Sequence, residues 1–182
     1  MTKKQTVRTS RLRRVPKGYK PVTIYTDGSW KQKLNAGGYA ALLTYGPHWK
    51  MIYSSESPTT ISRMELSAVL NALKELTEPC CVTIVSDSTY TCNCINRWIK
   101  DWKRRNWITW KGSPVANLDL IRAIDDLMQV HKVIAIWVKS HTGKKDVDSI
   151  GNDLVDYYAQ HSADTHHKTN KNSSSYANKK QN

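Results

Sequence analysis

Two aspartates stand where short apolar, β-branched runs give way to small residues. Asp27 follows residues 22–26 (VTIYT) and precedes Gly28 and Ser29; Asp87 follows residues 82–85 (VTIV) between Ser86 and Ser88. One aspartate after a strand is ordinary turn chemistry. Two at the ends of neighbouring parallel strands would lie side by side at one edge of a sheet. Glu65 adds a third carboxylate, on the same helical stripe as Ala68, Val69 and Ala72, and a carboxylate facing a core is costly unless paired or bound to metal. Further along, Asp153 and Asp156 share a helical pattern, with Asn152 one turn before Asp156, and spacing alone does not choose between the two. Carboxylates gathered without His or Cys select hard divalent cations, Mg²⁺ or Mn²⁺, over zinc. Two such ions roughly 3.5–4 Å apart activate a water and stabilise a leaving oxygen in phosphodiester cleavage.

The elements that must position these groups follow from periodicity. Strands are predicted at 22–26, from Gly37 through Leu43, and at about 49–54; the short turns between them make an antiparallel meander. Ile61, Met64, Ala68, Val69, Ala72, Leu73 and Leu76 recur at three- and four-residue steps and predict a helix over 61–76. A fourth strand (82–85), helices over 89–105 and 117–128, a fifth strand (133–138), a loop (139–148) and a last helix (149–162) complete the chain. The order β-β-β-α-β-α-α-β-α predicts an α/β fold: a five-stranded mixed sheet, antiparallel first and parallel later, flanked by helices. Ligand sites in such sheets form at the carboxyl ends of the parallel strands.

Charge divides the chain into three parts. The 182 residues carry a net charge of +13. Residues 1–20 hold eight Lys or Arg and no acid, and 164–182 hold four Lys and one Asp. Between them, sixteen basic residues face fourteen acidic ones, so most of the positive charge sits on the ends. We therefore expect a basic disordered arm (1–20), a catalytic domain (21–163) and a polar disordered tail (164–182), with the ends drawn to a polyanion. Solubility is the plainer role for those ends, and an organelle transit peptide the alternative for the arm. No stretch approaches the roughly 20 apolar residues needed to span a bilayer. No apolar secretory segment opens the chain, so a cytoplasmic protein is expected, without a membrane partner. Cys80, Cys81, Cys92 and Cys94 form no CxxC pair, which argues for reduced, buried thiols.

Residues 97–111 (RWIKDWKRRNWITWK) interleave six basic residues with four Trp. Basic side chains hold phosphates without reading sequence, and aromatics pack or stack. Trp98 and Trp102, four apart, are expected to be core residues of their helix; Lys103, Arg104 and Arg105 are the better candidates for nucleic-acid contact.

In order and at workable spacing, TDGS (26–29), GGY (37–39), TTxxRMEL (59–66), SDSxY (86–90), VKSHTG (138–143) and GNDLVDYYA (151–159) resemble ribonuclease H, of the bacterial ribonuclease HI type. The similarity spans about 22–163. It implies the ribonuclease H-like fold and hydrolysis of the RNA strand of an RNA–DNA hybrid with two Mg²⁺ (Mn²⁺ a possible substitute), leaving 5′-phosphate and 3′-hydroxyl ends. The family's four metal-binding carboxylates fall on Asp27, Glu65, Asp87 and Asp156. Asp156 is taken over Asp153 because the family's last helix has Asn-x-x-x-Asp, matched by Asn152 and Asp156. His141 matches a mobile-loop His that assists proton transfer or product release. The resemblance also puts Thr60 in a phosphate pocket, Asn117 and Asn152 among the nucleic-acid contacts, and the 97–111 stretch in a basic handle. A self-sufficient enzyme, acting as a monomer, is expected.

The chain departs from the family's pattern at Ile61 and Ser62, where two Asn are usual, at Lys33 in place of an Asn, and at Thr89 in place of a Gln. The loop between His141 and Asp156 is also a few residues longer. Chemistry is expected to survive these changes, whereas affinity and local preference are open to them. The alternative is a catalytically inactive ribonuclease H-like module that only binds nucleic acid. A transposase or integrase core is a further rival of the same fold.

Overall fold

A computed structural model describes residues 15–178, with side chains as far as residue 165. Residues 1–14, most of the predicted basic arm, lie outside the described residues. Five strands form one sheet: β1 (Lys20–Lys31), β2 (Ala36–Tyr45), β3 (His48–Glu56), β4 (Cys80–Ser86) and β5 (Lys132–Trp137), in the spatial order β3-β2-β1-β4-β5. The β1–β2 and β2–β3 pairs are antiparallel; β1–β4 and β4–β5 are parallel. This is the predicted mixed sheet.

β1 is central and buried on both faces, so its apolar run does not alternate with polar residues. Ile24 faces a core built with Leu43, Leu66, Val69, Leu73, Ile121 and Ile124, under the helices α1 (Ile61–Lys74) and α4 (Leu118–Val130). Its neighbour Tyr25 faces a smaller cluster with Ala40, Leu42, Val85, Val155 and Ala159, under α5 (Val147–Asn178). The period of two along β1 thus assigns one helical layer to each face.

Three elements differ from expectation. β1 runs five residues past Thr26, so Asp27 lies inside the strand rather than at its end. The parallel ladder to β4 stops at Tyr25↔Val85, while pairing to β2 continues from Asp27↔Ala40 to Lys31↔Ala36. Asp27 is therefore the second residue beyond the point where β1 loses its parallel neighbour, and only that side of the strand opens. The helix predicted over 89–105 consists of α2 (Thr89–Asn93), a wider π turn (Cys94–Trp98) and α3 (Ile99–Arg104). In the π turn, Asn96 donates to the Ala135 carbonyl at 2.8 Å and accepts its N–H at 2.9 Å. Those bonds occupy backbone groups of β5 that an edge strand would otherwise offer to another chain. Finally, α5 continues helically to Asn178, where the polar composition predicts a disordered tail from 164. No Gly or Pro interrupts 152–178, so nothing stops the helix that residues 155–163 anchor on the sheet.

Candidate active site

Where β1 and β4 part, three carboxylates meet. Asp27 on β1, Glu65 on α1 and Asp87 just after β4 each place an oxygen within 4.8 Å of the others. Asp27 and Glu65 are only 6% and 7% exposed, so water does little to screen them from each other. Gly28 permits the meeting: a Cβ there would lie 2.5 Å from the backbone nitrogen of Glu65. Only glycine lets α1 sit against β1 closely enough to set Glu65 beside Asp27.

Asp156, two turns into α5, completes the group. It lies against Asp27, within reach of a shared proton, and is half-buried, whereas Asp153 points to solvent. Helical geometry separates them: Asn152, Val155, Asp156 and Ala159 share the sheet-facing side.

Like charges packed out of water resist ionisation. Burial first, then Asp87 and Asp156, pushes the Asp27 carboxyl up to about 8, against a stabilising bond from the Gly28 N–H. Burial, then Asp27 and Asp87, holds Glu65 well above the usual carboxylate range; bonds from Thr91 and Ser88 work the other way. The Thr91 hydroxyl donates to Glu65 Oε2 at 3.4 Å. No cationic side chain is paired with Asp27, Glu65 or Asp87 among the described residues. An all-oxygen, partly buried set lacking a protein counter-charge fits hard divalent cations.

Polar side chains orient the carboxylates. Asn152, 1% exposed, donates to Asp87 Oδ2 at 3.4 Å, while its own Oδ1 is buried without a partner. Gln160 donates to Asp156 Oδ1 at 2.6 Å, and the Trp137 indole N–H donates to the Asp87 backbone carbonyl at 2.8 Å. The exposed His141, held at φ 49°, puts Nε2 3.8 Å from Asp156 Oδ2. Gln160, Thr91 and Trp137 were not singled out from the sequence. Gln160 had a signal, the i+4 step from Asp156; the other two depend on tertiary approach.

The predicted nucleic-acid residues scatter around this centre. Thr60 is exposed and caps α1, accepting the Arg63 N–H at 3.3 Å. Arg63 is tied to Glu56 and Asp119, both at 2.8 Å. Asn117 precedes α4 in the left-handed conformation at φ 53°. Trp98 and Trp102 pack against the main core, as expected. Lys103 Nζ lies 2.7 Å from the buried Asp125 carboxylate, although half of the lysine side chain stays exposed. Arg104 is shared with Asp101 at 3.5 Å, and Arg105 is exposed. Arg97, Trp98, Trp102, Arg105, Trp110 and Lys111 line an open groove of about 620 Å³.

Comparison with known proteins gives the same pattern. The family model for RNase H matches residues 19–164. A protein named Ribonuclease H from Haemophilus influenzae (strain 86-028NP) is 43% identical over 145 residues, covering 80% of this chain and 91% of its own. Ribonuclease HI from Haemophilus influenzae strain Rd is 42% identical over 145 residues, covering 80% of this chain and 91% of its own. Among solved structures, a type 1 RNase H with the type 2 active-site motif superposes with a TM-score of 0.70 at 25% identity, over 84% of this chain and 75% of that one.

Proposed function

The chain belongs to the ribonuclease H family, and from that premise we propose that Asp27, Glu65, Asp87 and Asp156 hold the two metal ions with which it hydrolyses the RNA strand of an RNA–DNA hybrid. The carrying observation is the meeting of Asp27, Glu65 and Asp87 within 4.8 Å, with Asp156 against Asp27. The oxygen-only donor set favours Mg²⁺, with Mn²⁺ as a substitute. When bound, paired ions there supply Lewis acidity that activates water and offsets the charge building on the phosphodiester.

The chain's own residues do the rest. Asn152 steadies Asp87, and Thr91 and Ser88 orient Glu65. His141, at the exposed rim beside Asp156, moves protons between the reacting phosphate and solvent. Water adds to phosphorus and the 3′ oxygen departs with a proton, giving 5′-phosphate and 3′-hydroxyl ends. Thr60, Arg104, Arg105 and Asn117 contact the nucleic acid, with Lys103 contributing through Asp125 rather than as a free cation. All four carboxylates come from one chain, which supports action as a monomer. Cys80, Cys81, Cys92 and Cys94 are free and buried, which suits the reducing cytoplasm. No helix among the described residues is long and apolar enough to cross a membrane.

The test is cleavage of an end-labelled RNA–DNA hybrid with Mg²⁺, beside single-stranded RNA, duplex RNA and duplex DNA. Wild type is expected to cut the hybrid alone, and Asp87→Asn to bind it without cutting. Hybrid binding without cutting by the wild type, in Mg²⁺ and in Mn²⁺, would replace this reading with the inactive binding module.

A further inference from the structure

Asp156 and Asn152 reach the carboxylate centre only because the first turns of α5 sit at one depth and one rotation on the sheet. Tyr25 lies at that contact. Its ring is 3% exposed and packs directly beneath Gly151, where a Cβ would come within 2.6 Å of ring atom Cδ1. Its hydroxyl donates to Asp148 Oδ1 at 3.1 Å.

The same turn anchors the loop that carries His141. Asp146 Oδ1 accepts the Ser149 N–H at 2.9 Å, and the Asp146 carbonyl accepts the Ile150 N–H at 3.0 Å. The Thr142 and Ser149 hydroxyls meet at 3.1 Å. One residue after Gly151, Asn152 bonds to Asp87, and four residues further Asp156 meets Asp27.

We propose that Tyr25 is a positioning residue: its ring beneath Gly151 and its hydroxyl on Asp148 set the depth and rotation at which α5 presents Asn152 and Asp156 to Asp87 and Asp27. Depth comes from the flat ring against a glycine. Rotation comes from the hydrogen bond, which lies off the helix axis and ties the turn before Gly151 to the middle of β1. The inference rests on the nuclease reading of the site. It gives Tyr25 no contact with substrate.

The test compares Tyr25→Phe, Asp148→Ala, Asp148→Asn and the Tyr25→Phe/Asp148→Ala pair, each well below its melting temperature. Tyr25→Phe and Asp148→Ala are expected to lower kcat about tenfold, because sub-ångström misplacement of a catalytic group is costly. KM for the hybrid should stay within about twofold, since binding surfaces elsewhere are untouched. Asp148→Asn keeps an acceptor oxygen and should restore kcat, and the pair should be no worse than either single variant. In the metal-free proteins, Tyr25→Phe and Asp148→Ala should speed hydrogen exchange at amides 149–156, with Asp148→Asn matching wild type. Wild-type kcat and exchange in Tyr25→Phe, or additive losses in the pair, would overturn the inference. A wild-type protein that does not cut hybrid would fail the nuclease reading instead, and the exchange result would still judge Tyr25.

Discussion

The carboxylate centre and the cationic segment 97–111 meet opposite electrostatic problems. At the centre, like charges are buried within a few ångströms of one another, and Asp27 is pushed up to about 8. Along 97–111, most of the cations stand in solvent, where Arg97 and Arg104 share Asp101; Lys103 differs in reaching the buried Asp125. Water screens such exposed charges, so each contributes little and none depends closely on another. Concentrated charge makes a site that one substitution can abolish. Dispersed charge makes a surface that degrades in small steps.

The sharpest break falls on the centre. Asp87→Asn should lower hybrid cleavage by on the order of a thousandfold, as expected when a preorganised charge is removed. Because it also removes repulsion on Asp27 and Glu65, the metal-free variant should melt higher than wild type in calorimetry. A lower melting temperature would mean that Asp87 is held by something other than the cation.

Titration of the metal-free protein sharpens the contrast. Asp27 rises from an ordinary 3.8 to about 8 on folding, so the folded state binds the extra proton. The stability that this contributes is full below pH 3.8 and is lost as pH climbs towards about 8. Melting temperature without divalent ions should fall across that window, and saturating Mg²⁺ should flatten the fall. An unchanged slope with Mg²⁺ would separate the ion from these carboxylates.

Within the cationic segment, Lys103 and Arg105 should part company. Lys103→Ala leaves the Asp125 carboxylate without its cation and should cost on the order of 1–3 kcal/mol in denaturant unfolding. Arg105→Ala should leave stability unchanged. It should weaken hybrid binding about threefold and reduce the salt slope by about one, measured by binding at several salt concentrations. Equal effects of the two on binding would return Lys103 to the free cations.

Much of the fold was legible because period and punctuation report local structure. Apolar, β-branched runs and the turns between them marked five strands, the three- and four-residue steps marked α1, and the element order implied a mixed sheet. The extent of β1 was not legible, since a strand paired on one side beyond Tyr25 has no local mark of where its other neighbour stops. The π turn and the helical run to Asn178 were hidden for related reasons: one is marked by the contact of Asn96 with β5, and the other continues from a packed helix.

By itself the sequence determined which residue types are available to the site: acids without His or Cys at the centre, and cations away from it. The motif resemblance singled out Asp156 over Asp153. Tertiary structure alone decided that Gly28 lets Glu65 approach Asp27, that Lys103 pairs with Asp125, and that Tyr25 seats α5 at Gly151. The physical reason is range. Periodicity and capping act over a few residues, whereas each of these contacts joins positions 22 to 126 residues apart and exists only once the layers have packed.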